Sequence, residues 1–117
     1  MKENIIKNKS FYFALRTVRA YQFLIEQKKE YVLSKQMLRS GTSIGAMVRE
    51  AEQAESSADF VHKMSIALKE ANETEYWIEL LAQAGYLDET AFNSLKADIT
   101  EILKLLISII KTSKAKK

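Results

Sequence analysis

SSADFVHKMSIALKEANETEYWIELLAQAG, residues 56–85, carries the pattern that decides the fold. Phe60, Met64, Ala67, Ala71, Ile78 and Leu81 recur at three- and four-residue steps, the period of a helix with one apolar face. Either Ser56 or Ser57 can accept the orphan N–H groups of a first turn, and Gly85 can take the positive φ on which many helices stop. The stretch reads as one long helix with its own start and stop.

The same period returns on both sides. Downstream, Asp88 precedes Phe92, Leu95, Ile99, Ile102, Leu106 and Ile109, a near-heptad spacing suited to helices that cross at a shallow angle. Upstream, a segment from about Val32 places Leu33, Met37, Ile44, Val48 and Ala51 on one side. Its middle holds Ser40, Gly41, Thr42, Ser43 and Gly45, and each Gly costs a helix roughly 1 kcal/mol. The reading is still a continuous helix, in which Gly41 and Gly45 let a neighbour come close. At the start of the chain Ser10 is read as a cap for a first helix whose stripe is Phe11, Leu15, Val18, Gln22 and Ile25, with Gln22 a buried polar group; this helix ends near Lys28 and Lys29. Four comparable helices with short links predict an all-α fold, an antiparallel up-down-up-down four-helix bundle. It forms a single domain over residues 1–117, with 1–8 and 112–117 frayed.

Composition agrees. Three Gly and no Pro in 117 residues leave too little turn chemistry for a many-stranded sheet. With no Cys there is no disulfide framework and no thiolate zinc site, which suits a reducing, cytoplasmic location. The longest apolar run, Leu105 to Ile110, lies between Lys104 and Lys111, so neither a signal peptide nor a membrane span is read.

The sequence offers little chemistry. Bundle metal sites use Glu-x-x-His pairs on facing helices, but His62 is the single histidine and Asp59 precedes it by three. No nucleophile and base pairing and no phosphate loop is present, so the expectation is a protein with no catalytic residues, no metal, no cofactor and no enzymatic activity. Glu70, Glu73 and Glu79 read as a solvated acidic face. Glu75 falls about 60° from Phe60 on a helical wheel, on the core side, and is expected to be buried against a hydrogen-bonding or arginine partner.

Charge is segregated although its sum is only +3. Residues 32–49 carry Lys35, Arg39 and Arg49 without an acid, and Glu50, Glu52, Glu55 and Asp59 follow. With Lys35 as zero, Arg39 and Arg49 fall within about 40° on either side, and Leu33, Ile44 and Ala51 lie close to 180° away. One face is basic, the other core. Tyr12, Arg16, Arg19 and Phe23 recur on the first helix, aromatic surface beside positive charge. Lys35, Arg39 and Arg49, with Arg16 and Arg19 in a lesser role, are the candidate nucleic-acid contacts. Surplus apolar residues, Leu103, Leu105, Ile107 and Ile110 on the last helix and Phe13, Tyr21 and Leu24 on the first, predict a homo-oligomer.

Three blocks in order carry a family resemblance: Leu38-Arg39-Ser40-Gly41-Thr42-Ser43-Ile44-Gly45-Ala46, then residues 58–71 (ADFVHKMSIALKEA), then Glu73-Thr74-Glu75-Tyr76-Trp77. From about Ser10 to Ile110 the chain resembles the bacterial four-helix-bundle proteins first noticed as reading frames in intervening sequences of large-subunit ribosomal RNA genes. The resemblance implies a homo-oligomeric, often pentameric, bundle without enzymatic activity. The related accessory variability proteins of diversity-generating retroelements are similar barrels whose basic surfaces engage nucleic acid and a reverse transcriptase. Met47 stands where the family usually has Asn. The expected function is binding of structured RNA through phosphate contacts without base specificity, with a protein–protein scaffold serving a partner protein as the alternative.

Overall fold

A computed structural model describes residues 2–116 of the chain. They form α1 (Lys2–Glu26), α2 (Leu33–Glu52), α3 (Ser57–Gln83) and α4 (Glu89–Ala115), with no strand among the described residues. Each helix packs on its neighbours in the chain, and α1 closes on α4 along the thinnest seam of the resulting antiparallel bundle, 48 × 21 × 19 Å.

Three helices keep the phase their sequence predicts. Met37, Ile44, Val48 and Ala51 of α2, Met64, Ala67, Ala71, Ile78 and Leu81 of α3, and Leu95, Ile99, Ile102, Leu106 and Ile109 of α4 are buried. Their ends follow the same chemistry. Ser56 Oγ accepts the Asp59 N–H at 3.0 Å, and Asp88 accepts the Ala91 N–H at 2.8 Å. Beyond α3, Gly85 takes φ +89°, and the N–H groups of Tyr86 and Gly85 donate to the carbonyls of Leu81 and Ala82 at 2.9 and 3.1 Å. That double closure is a Schellman stop.

The first helix departs from expectation. It begins at Lys2, not after Ser10, and Ile6 is fully buried. Ser10 lies inside the helix, buried, with its hydroxyl donating to the Lys7 carbonyl. The core face is Ile6, Ser10, Phe13, Thr17 and Leu24, while Phe11, Leu15 and Gln22 are exposed. Gln22 is therefore not a buried polar residue. The physical reason lies on α2, which runs unbroken through its glycines. A Cβ on Gly41 would sit 2.7 Å from Thr17 Cγ2, and one on Gly45 would sit 3.4 Å from Ser10. Backbones this close admit only small side chains between them, so α1 docks by its less greasy face. Two surplus residues, Phe13 and Leu24, are thereby core, and Ile110 joins the core from α4, leaving Ile107 exposed.

On α3 the structure again departs from expectation. Glu75 is partly exposed, and its partner is a lysine: Lys96 Nζ of α4 lies 3.2 Å away and is shared with Glu79. The Glu79 hydrogen bond first, opposed by burial and helped by Glu75, holds the Lys96 ammonium above its ordinary pKa. Pairs at this exposure contribute about 1 kcal/mol or less. The buried polar residue is the preceding one. Thr74 is fully buried, its hydroxyl 2.9 Å from Ser40 Oγ of α2 and 2.7 Å from the Glu70 carbonyl.

Between α1 and α2 the chain turns on Lys29, at φ 53°, and Glu30 is then nearly buried. Its carboxylate accepts the N–H groups of Val32, Leu33 and Ser34 at 3.2, 3.0 and 2.6 Å, which are orphan donors of the α2 start. The Ser34 hydroxyl returns a bond to the Glu30 carbonyl at 2.7 Å. Burial, the largest single influence, pushes the Glu30 pKa up, but the bonds from Leu33, Ser34 and Val32 together outweigh it and leave it lowered. A lowered carboxylate contributes stability that is fully present above its unfolded value near 4.5 and is lost as pH falls through the folded value. Glu30→Gln is expected to cost about 1 to 2 kcal/mol near neutral pH. Urea titrations of both proteins should show that difference shrinking once the pH drops below the ordinary glutamate range.

Candidate nucleic-acid interface

The outer face of α2 presents Lys35, Arg39 and Arg49, all exposed, opposite the buried Ile44 and Ala51. The three are not electrostatically equal. Arg39 reaches across to α3, where Glu70 Oε1 lies 3.4 Å from Nη1 and Glu73 takes a second, closer bond. Its charge is largely answered within the chain. Arg49 makes no ion pair among the described residues and rests its guanidinium 5.3 Å from the centre of the Phe11 ring on α1, a cation–π contact. Lys35 also makes no ion pair among the described residues. Arg49 and Lys35 stand fourteen residues apart on one helix, so about 21 Å of rise separates them.

On α1 the two candidate arginines divide in the same way. Arg16 pairs with Asp98 of α4, and its other nitrogen donates to Ser94 Oγ at 2.9 Å. Arg19, one turn on, has no acid partner among the described residues. The five sequence candidates thus form two groups, Lys35 with Arg49 on the outside of α2 and Arg19 by the α1–α4 seam, with Arg16 and Arg39 engaged in holding helices together.

Sequence reading misses Lys28. In the sequence it marks only a helix end, yet its Nζ sits 6.0 Å from the Phe23 ring centre and, with Arg19, lines a cavity against the start of α4. Of the recurring Tyr12, Arg16, Arg19 and Phe23, the last three line one wall of this cavity, but the other, Leu87 to Leu95, belongs to a segment distant in sequence. His62 is exposed, and among the described residues no three His, Cys, Asp or Glu side chains gather as a metal site would require. No helix among those residues is long and apolar enough to cross a membrane.

The family model for the 23S rRNA-intervening sequence protein matches residues 2–108. The chain belongs to that family. Among solved structures, a protein of unknown function from the S23 ribosomal protein family of Bacteroides thetaiotaomicron VPI-5482 is 61% identical, with a TM-score of 0.94 over 95% of this chain and 99% of that one. No curated protein matches. Met47 is partly buried and packs against the core.

Proposed function

We propose that this member of the 23S rRNA-intervening sequence protein family is a non-enzymatic, cytoplasmic homo-oligomer, pentameric as the resemblance implies, that binds structured RNA through phosphate contacts. One observation carries the reading: α1 is apolar on both faces. With Phe13 and Leu24 committed to the core, Phe11 is 52% and Leu15 37% exposed on the opposite side, with the Arg49 guanidinium beside the Phe11 ring. Burying such a stripe against a second copy removes apolar surface from water. Symmetry then repeats the unpaired Lys35, Arg49 and Arg19 around a ring, which lets a subunit of net charge +3 attract a polyanion.

Sedimentation at micromolar concentration tests the assembly, and a monomer alone would overturn it. RNA affinity measured against salt tests the surface. Lys35→Glu with Arg49→Glu should weaken binding and flatten the dependence of log affinity on log salt by roughly 0.7 to 0.9 for every phosphate no longer neutralised. Arg39→Glu should do less, because its charge is already met by Glu70 and Glu73. Binding without salt dependence would favour the protein-scaffold alternative.

A further inference from the structure

The α1–α4 seam opens near the α4 start into a cavity of about 420 Å³, within the range of small-ligand sites. Its lining divides by chemistry. The floor is apolar, with Leu87 and Leu95 nearly buried and Ala91 between them. One wall is the Phe23 ring, 44% exposed. The rim holds two cations, Arg19 and Lys28, neither paired with an acid among the described residues.

Two further charges at the rim are already committed. Arg16 is tied to Asp98, and the Asp88 carboxylate is turned to the Ala91 N–H as the α4 cap. What remains is the Phe23 ring, with Lys28 Nζ 6.0 Å from its centre, a greasy floor and the two cations Arg19 and Lys28. A purely apolar ligand leaves the cations unanswered, and a bare phosphate leaves the floor and ring unfilled. A planar heterocycle joined to a phosphate satisfies both.

We infer that this cavity is a nucleotide subsite: a base stacks on Phe23 over the Leu87, Ala91 and Leu95 floor, and its phosphate meets Arg19 and Lys28. Unstacked bases are what single-stranded and looped RNA offers to proteins, and an aromatic beside a cation is the usual way of holding them. As an RNA subsite the cavity rests on the nucleic-acid reading above. It adds to that reading a preference for unpaired segments over uniform duplex.

Titrating methyl-labelled wild-type protein with adenosine 5′-monophosphate should move the Leu87, Leu95 and Ala91 signals, and inorganic phosphate should leave them in place. Ala91→Phe fills the cavity without changing charge; it should weaken binding of a short single-stranded oligoadenylate roughly tenfold, with the salt slope and duplex binding unchanged. Arg19→Ala with Lys28→Ala should weaken the same oligonucleotide and flatten its slope by roughly 0.7 for each phosphate left without a cation. Methyl signals unmoved by the mononucleotide, or equal movement by phosphate alone, would overturn the subsite. So would full oligoadenylate affinity in an Ala91→Phe protein whose methyl spectrum shows an intact bundle. Methyls that move in a protein that binds no RNA would sink the proposed function and keep the nucleotide site. Salt-dependent RNA binding with unmoved methyls would do the reverse.

Discussion

Phe13→Ala is expected to destabilise the bundle by about 3 to 5 kcal/mol, and Phe11→Ala by less than about 1 kcal/mol. The two aromatics stand two residues apart on α1, and the stripe read from the sequence, which contains Phe11 and leaves out Phe13, would reverse the order. Phe13 is 1% exposed, so its truncation forfeits the transfer free energy of the ring and leaves a cavity that the helices around it only partly close. Phe11 lies half in solvent under the Arg49 guanidinium. Its loss should instead appear in association. Chemical denaturation of each variant beside sedimentation separates the two roles. A lower unfolding midpoint for Phe11→Ala than for Phe13→Ala would mean that α1 is docked by the other face.

Gly41→Ala and Gly45→Ala should have opposite signs despite identical chemistry on one helix. Alanine is the better helix former by roughly 1 kcal/mol at each site. At Gly41 the new methyl meets Thr17, with Cγ2, Oγ1 and Cβ at 2.7, 2.8 and 3.2 Å, and Thr17 cannot swing aside cheaply because it is buried and its hydroxyl donates to the Phe13 carbonyl at 2.8 Å. Overpacking of this kind costs about 1 to 3 kcal/mol and exceeds the propensity gain. At Gly45 the nearest atoms lie at 3.4 Å, an ordinary contact, so the propensity gain survives and Gly45→Ala is neutral to stabilising. Thr17→Ser should recover part of the Gly41→Ala loss, since it removes the nearest atom. Additivity of that pair in a double-mutant cycle would show that the close approach is not the cause.

Much of the fold is legible in the sequence because it is written locally. The caps at Ser56 and Asp88 and the stop at Gly85 depend on residues within a turn of each helix end, and three of the four apolar stripes coincide with the core. The phase of α1 is not legible, since periodicity finds a stripe but does not say which of two stripes faces inward. The answer sits on α2, in the glycines that demand Ser10 and Thr17 opposite them. On a wheel referenced to Phe60, Thr74 and Glu75 lie about 40° and 60° away on opposite sides, and only Thr74 falls within the arc of the buried Met64, Ala67, Ala71, Ile78 and Leu81. For the candidate interface the residue types are readable and their partners are not. Arg39 meets an acid 31 positions away and Arg16 one 82 positions away, separations at which a single sequence carries no pairing signal. Glu30 gives no sequence signal for a related reason: a glutamate acts as a cap here only because the Lys29 turn folds its carboxylate back onto the next helix.

The neighbour-to-neighbour packing of the bundle also bears on how the chain reaches it. The three extensive interfaces join helices linked by short connections, so each is available for a small loop-closure entropy. Only the α1–α4 seam brings distant parts of the chain together, and it is the least extensive. A topology of this kind belongs with fast-folding helical proteins, and a chain without proline lacks the slow isomerisation that delays many others. The seam is then the closure that comes last and reopens first, so its amides should exchange with solvent ahead of those between α2 and α3.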